Sequence, residues 1–96
     1  MRTVSSLQAQ ELLKTKDVVV LDVRTAAEFS LGHLASAFNV DIHLSNFEDK
    51  INALPRDKTY LVHCKSGGRS EAACKWMEEL GFQHVFSFAE SWRELV

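Results

Sequence analysis

The sequence predicts an α/β domain built on a mostly parallel central sheet of about five strands, with helices on both faces. Two kinds of segment predict it. Residues 17–24 (DVVVLDVR) and 58–64 (KTYLVHC) are apolar, β-branched runs of strand length, the pattern of strands buried on both faces. Around them lie segments with apolar residues at helical spacing. Strands alternating with helices fold into a parallel sheet because each crossover lays its helix on a sheet face.

The elements follow in order. Ser5 stands three residues before Gln8, the spacing of a capping box, ahead of Leu12 and Leu13 on a helical stripe. After strand 17–24, TAAEFSLG reads as a short helix with Thr25 as N-cap and Gly32 as terminator. Residues 36–40 (SAFNV) form a short strand. In LSNFEDKINALP, Ser45 and Glu48 repeat the capping-box spacing, Phe47, Ile51 and Leu54 make the stripe, and Pro55 lies just past the end. Residues 69–81 give the clearest helix, with Ala72, Ala73, Trp76, Met77 and Leu80 on one face and Gly81 at its C-terminal end. Residues 84–88 (HVFSF) are the last strand, and 89–96 (AESWRELV) a short closing helix.

Ninety-six residues correspond to one domain over 1–96, near the lower end of what a single core stabilises. Apolar residues make up 46% and charged residues 25%, with one proline, so a packed core is expected rather than disorder. A net charge of −2 gives no basic footprint and argues against nucleic acid as partner. The opening residues MRTVSSLQAQELLK lack an apolar export segment, and no run approaches a membrane span. A cytoplasmic location is expected, and with it two unpaired cysteines.

Chemistry concentrates in YLVHCKSGGRSEAACKWM, residues 60–77. Cys64 ends a strand, and ligands of parallel sheets bind beyond the carboxyl ends of the strands. The loop Lys65, Ser66, Gly67, Gly68, Arg69 and Ser70 leads into a helix, whose first N–H groups and macrodipole favour an anion. The two glycines let the backbone curl into a nest of N–H donors, and Lys65 and Arg69 add positive charge. Each effect favours thiolate over thiol, so the Cys64 pKa is expected below that of a free cysteine. Cys74 lies mid-helix with nothing placed to activate it and is expected to be semi-buried.

Spacing narrows the chemistry. In the protein tyrosine and dual-specificity phosphatases, whose cradle seats the oxygens of a phosphate ester, five residues stand between the cysteine and the arginine, whereas four separate Cys64 from Arg69. A tighter ring of N–H groups suits a smaller anion, such as the terminal sulfur of a persulfide. Arg24 and Glu28, four residues apart, are expected to form an ion pair bracing the loop. His33 is expected to be a hydrogen-bonded structural residue. His63 precedes Cys64 and points to the opposite face of the strand, where it cannot act as its base. No histidine pair has metal-ligand spacing.

In this order and spacing, LDVRTAAEFSLGHL (21–34), AFNV, CKSGGRS and LGFQHVF resemble the rhodanese family over nearly the whole chain. The resemblance implies a three-layer rhodanese-like fold and sulfurtransferase activity without a cofactor or metal. It implies that Cys64 takes a sulfane sulfur from thiosulfate or a persulfide, holds it as a persulfide, and passes it to a thiol or cyanide. The N–H groups of residues 65–70 would stabilise the persulfide, Lys65 and Arg69 would attract an anionic donor, and Ser66 would bond the sulfur or the donor. Asp22 and Arg24 would support the pocket. A protein sulfur donor or acceptor is also compatible with this pattern, as is a non-enzymatic, relay-type carrier or partner-binding module. A phosphatase or arsenate reductase on the same fold is the competing enzyme reading, disfavoured by the short loop. Ala35 and Ser36 stand where the family has proline and glycine. Glu90 and Ser91 replace a glycine pair, a change expected to crowd the pocket rim and repel a dianionic donor.

Overall fold

Alternate residues of the central strands face opposite sides of one sheet. Tyr60, Val62 and Cys64 join the core cluster that holds Phe47, Ile51, Ala73 and Met77. Leu61, between them, joins the second cluster with Val4, Ala9 and Phe88. This period of two is what a strand covered on both faces requires. The structure is a computed structural model that describes residues 2–15 and 17–96.

The elements are β1 (Arg2–Val4), α1 (Ser6–Leu13), β2 (Val18–Asp22), α2 (Ala26–Ser30), β3 (Ala37–Asn39), α3 (Phe47–Asn52), β4 (Thr59–His63), α4 (Gly68–Glu79), β5 (His84–Phe88) and a 3₁₀ turn (Trp92–Leu95). The five strands lie in the order β1-β5-β4-β2-β3, all neighbours parallel. α3 and α4 cover one face, and α1 with the 3₁₀ turn covers the other. The expected α/β three-layer architecture is therefore the one found. Among the described residues no helix is long and apolar enough to cross a membrane.

The predicted capping boxes of α1 and α2 are both present: Ser5 with Gln8, and Thr25 with Glu28. The third is not. α3 starts one residue later than the spacing implied, after Asn46, with no side-chain cap. Glu48 instead accepts the indole N–H of Trp76 at 3.3 Å, so it does not fold back on Ser45. β1 was not expected, because three residues carry too little pattern; its pairing with β5 holds it in place. The closing helix expected over 89–96 is present in short form, as the single 3₁₀ turn Trp92–Leu95.

The buried face of α4 is Ser70, Ala73, Cys74 and Met77, at positions i, i+3, i+4 and i+7. Ala72 is exposed, and Cys74 is fully buried rather than semi-buried. The stripe is rotated because Ser70 and Cys74 face β5. α4 stops at Gly81, whose φ is +97°. Its N–H donates to Glu78 O (3.0 Å) and that of Phe82 to Met77 O (3.1 Å), the pair of bonds that closes a helix on a left-handed glycine.

Candidate active site

β4 ends at His63, so Cys64 is the first residue past the carboxyl end of a central strand, and α4 begins four residues later. Within this short loop Gly67 takes φ +101°, and a Cβ there would stand 2.9 Å from the Cβ of Ala89. Only glycine meets both conditions. Gly68 differs from the expectation: it is the first residue of α4, nothing lies within 4 Å of its virtual Cβ, and its φ is not positive. The nest depends on one glycine rather than two.

The turn at Gly67 aims donors at the thiol. The N–H groups of Gly67 and Ser70 approach Cys64 Sγ at 3.1 and 3.4 Å. Cys64 is 1% exposed, and burial by itself pushes the thiol up. The N–H and hydroxyl of Ser70, with the N–H groups of Gly67 and Ser66, outweigh it and bring the pKa below the ordinary thiol value. The expected direction is thus present, and its cause is the N–H cradle. Ser66 is exposed and its hydroxyl makes no bond to the sulfur; it acts through its backbone alone.

Ser70 is anchored from behind. Its hydroxyl donates to Gly67 O at 3.0 Å and lies 2.9 Å from the hydroxyl of the buried Ser87. Sequence reasoning passed over Ser87. Its signal was a serine in HVFSF on the same alternating face as Val85, the face turned toward α4. Cys74, on that helix, is pushed by burial up to about 12, so it stays a thiol.

Arg69 and Arg24 hold partners other than those expected. Arg69 makes two bonds to Glu28, Nη1 to Oε1 at 2.6 Å and Nη2 to Oε2 at 3.0 Å. Arg69 first, and the N–H of Thr25 next, lower the Glu28 pKa to about 2. The predicted Arg24–Glu28 pair does not form. Arg24 binds the buried Asp22 (Nη2 to Oδ2, 2.6 Å) and donates to Gly32 O at 2.7 Å. Helical spacing was the wrong guide because Arg24 lies before α2, two residues from Asp22. Asp22 and Arg24 thus brace the loop after β2, with Asn39 Nδ2 bonded to both of their carbonyls at 3.0 and 2.9 Å.

His63 pairs in register with Asp22, its Nε2 3.9 Å from Oδ2, and both ring nitrogens lack a hydrogen-bond partner. Burial is the main cause of a pKa below the usual histidine value, so the ring is neutral near pH 7. His33 is braced as expected, Nδ1 lying 2.7 Å from Phe29 O and the ring stacked on Phe29. Glu90 accepts a bond from the Ser6 hydroxyl at 3.0 Å, which ties its carboxylate to α1. Beside the loop opens a cavity of about 190 Å³ lined by Arg24, Glu28, Leu31, Gly32, Lys65 and Arg93. Among the described residues no cluster of three or more histidines, cysteines or acids is placed to hold a metal ion.

Fold and site together define an α/β protein with a buried, N–H-cradled thiol at the carboxyl edge of a parallel sheet. The chain belongs to the rhodanese-like domain family, whose model matches residues 5–96. It is 32% identical to a sulfurtransferase of Allochromatium vinosum over 79 residues, covering 82% of this chain and 72% of that one. It is 30% identical to the thiosulfate sulfurtransferase GlpE of Coxiella burnetii over 96 residues, 96% of this chain and 87% of the relative. A crystal structure of a rhodanese-related protein from Thermoplasma volcanium superposes with a TM-score of 0.82 at 34% identity, covering 98% of this chain and 92% of the other.

Proposed function

We propose that this chain is a rhodanese-type sulfurtransferase, acting as one domain, that moves a sulfane sulfur through a persulfide on Cys64. Relatives named as sulfurtransferases support the general activity, and those named for thiosulfate support that donor. The observation that carries the reading is the cradle: a buried sulfur receives N–H donors from a loop with only four residues between Cys64 and Arg69. Such a ring fits a single added sulfur better than the three oxygens of a phosphoryl group.

In the first half-reaction the Cys64 thiolate attacks the outer sulfur of the donor. The new Cys64 Sγ–S bond forms as the donor's own bond to that sulfur breaks, and the electron pair leaves with sulfite or a thiolate. The negative charge that was on Sγ then resides on the outer sulfur. The N–H groups of Gly68 and Arg69, first in α4 and without intrahelical acceptors, are donors of the same loop that would serve it. In the second half-reaction an acceptor thiolate or cyanide removes the outer sulfur, and Cys64 returns to its thiolate.

Incubation of the reduced protein with thiosulfate, followed by intact mass, tests this directly. A gain of one sulfur atom in the wild type and none in Cys64→Ser is the expected result. A gain in both proteins would assign the chemistry elsewhere, and no gain from thiosulfate or from inorganic polysulfide would reject the persulfide.

A further inference from the structure

The positive charges around the thiol are not equally free. Arg69 is neutralised by Glu28, and Arg24 by the buried Asp22. Lys65 and Arg93 have no ion-pair partner among the described residues; both are exposed, and the Arg93 guanidinium lies 4.9 Å from the Trp92 ring centroid. All of these cations except Arg69 line the same cavity of about 190 Å³, where Leu31 and Gly32 supply the uncharged wall. Two paired cations cancel against their acids, so the wall keeps the charges of Lys65 and Arg93. The chain as a whole carries −2, so this positive mouth is local.

The cavity adjoins the cradle through two links. Lys65 follows Cys64 in the chain, and Glu28 holds the Arg69 that closes the loop. Arg93 is held there by its neighbour: a Cβ on Gly32 would stand 2.8 Å from Trp92 Cζ2, so the 3₁₀ turn is seated against the loop after α2.

We infer that Lys65 and Arg93 form an anion subsite that selects sulfur acceptors bearing a carboxylate, namely short anionic organic thiols. The inference rests on the persulfide reading above. An apolar wall beside two free cations fits a short alkyl chain ending in a carboxylate, which cyanide lacks. The step balances without an oxidant. The acceptor thiolate attacks the outer sulfur of the Cys64 persulfide, forming its own S–S bond. The Cys64 Sγ–S bond breaks, its electron pair restores the Cys64 thiolate, and the acceptor leaves as a persulfide.

The test is discharge of a preformed persulfide. Reduced protein is charged with inorganic polysulfide, freed of excess, and mixed with 3-mercaptopropionate or with the neutral 2-mercaptoethanol. Loss of the added sulfur is followed by intact mass, and the ratio of the two rates is the readout. The ratio should fall about two- to fivefold in Arg93→Ala and in Lys65→Ala, the range of an exposed ion pair. It should be largely kept in Arg93→Lys, fall furthest in Arg93→Glu, and decline with added salt in the wild type. A ratio unmoved by Arg93→Ala, Arg93→Glu and salt overturns the subsite while leaving the persulfide intact. A loss of thiosulfate charging, with an unmoved discharge ratio, assigns the two cations to the donor and overturns the acceptor claim. Failure of polysulfide to charge Cys64 at all overturns the functional reading as well.

Discussion

Glu28 grips Arg69 through both carboxylate oxygens, at 2.6 and 3.0 Å, and so ties α2 to the first turn of α4. The pair sets how much of the arginine's charge reaches the thiolate. Glu28→Gln removes the opposing negative charge and should move the alkylation midpoint of Cys64 to lower pH. Arg69→Ala leaves Glu28 unopposed and should move it to higher pH. The cost in stability is about 1 kcal/mol for either, because the pair is partly exposed. Iodoacetamide rates against pH read the midpoints, and shifts of the same sign in both variants would contradict the account.

Ser70 should govern the thiol directly through its N–H and indirectly through its hydroxyl, which holds Gly67, whose own N–H also faces Sγ. Ser70→Ala keeps the backbone donor, removes the hydroxyl and leaves Ser87 without its 2.9 Å partner. We expect a higher Cys64 midpoint and a loss of about 1–3 kcal/mol for the buried group left unpaired. The pH profile and a urea melt measure the two effects separately. In Cys64→Ser, the buried Cys74 should resist alkylation at neutral pH until the protein unfolds.

The two loop glycines should respond oppositely. Gly67→Ala meets both a left-handed φ of +101° and the Ala89 side chain, and should cost at least about 1–2 kcal/mol together with reactivity at Cys64. Adding Ala89→Gly relieves the contact but not the backbone strain, so it should restore part of the loss. Gly68→Ala has open space and a helical position, and should be neutral or gain up to about 1 kcal/mol. Thermal melts of the four proteins distinguish these outcomes.

His63 gives stability a pH dependence of definite sign. Burial lowers its pKa in the folded chain, so below an unfolded value of about 6.5 the unfolded state binds the extra proton. Its contribution is therefore present above that value and lost as pH falls toward the folded pKa. Urea melts should show stability declining between about pH 7 and pH 5, with a shallower slope in His63→Met. An unchanged slope would place the titrating group elsewhere.

Much of this was legible in the sequence because it is written locally. The runs 17–24 and 58–64 announced buried strands, Thr25 and Ser5 announced their helices, and KSGGRS announced an anion nest after a strand. What was hidden depends on residues brought together from afar. Arg69 meets Glu28 across 41 positions and Ser70 meets Ser87 across 17, and neither pair leaves a periodic trace. Arg24 offered a helical-spacing partner in Glu28, but it precedes the helix and turned to Asp22. Ser45 and Glu48 carried the right spacing, yet Trp76 took the carboxylate. Local rules propose; tertiary competition for the same side chain decides.

The seating of Trp92 on Gly32 has a consequence for anything joined to this chain. Arg93 lines the cavity beside the cradle, and a segment attached after Val96 joins the chain only three residues from it. A segment attached before Arg2 starts from the opposite end of the strands, where Arg2 shares a cavity with Gln83 and His84. Covalent tethering turns a bimolecular encounter into an intramolecular one, with effective concentrations in the millimolar range for short flexible linkers. A thiol acceptor fused behind Val96 should therefore collect sulfur far faster than the same acceptor fused in front, a difference that discharge rates of the two fusions would measure.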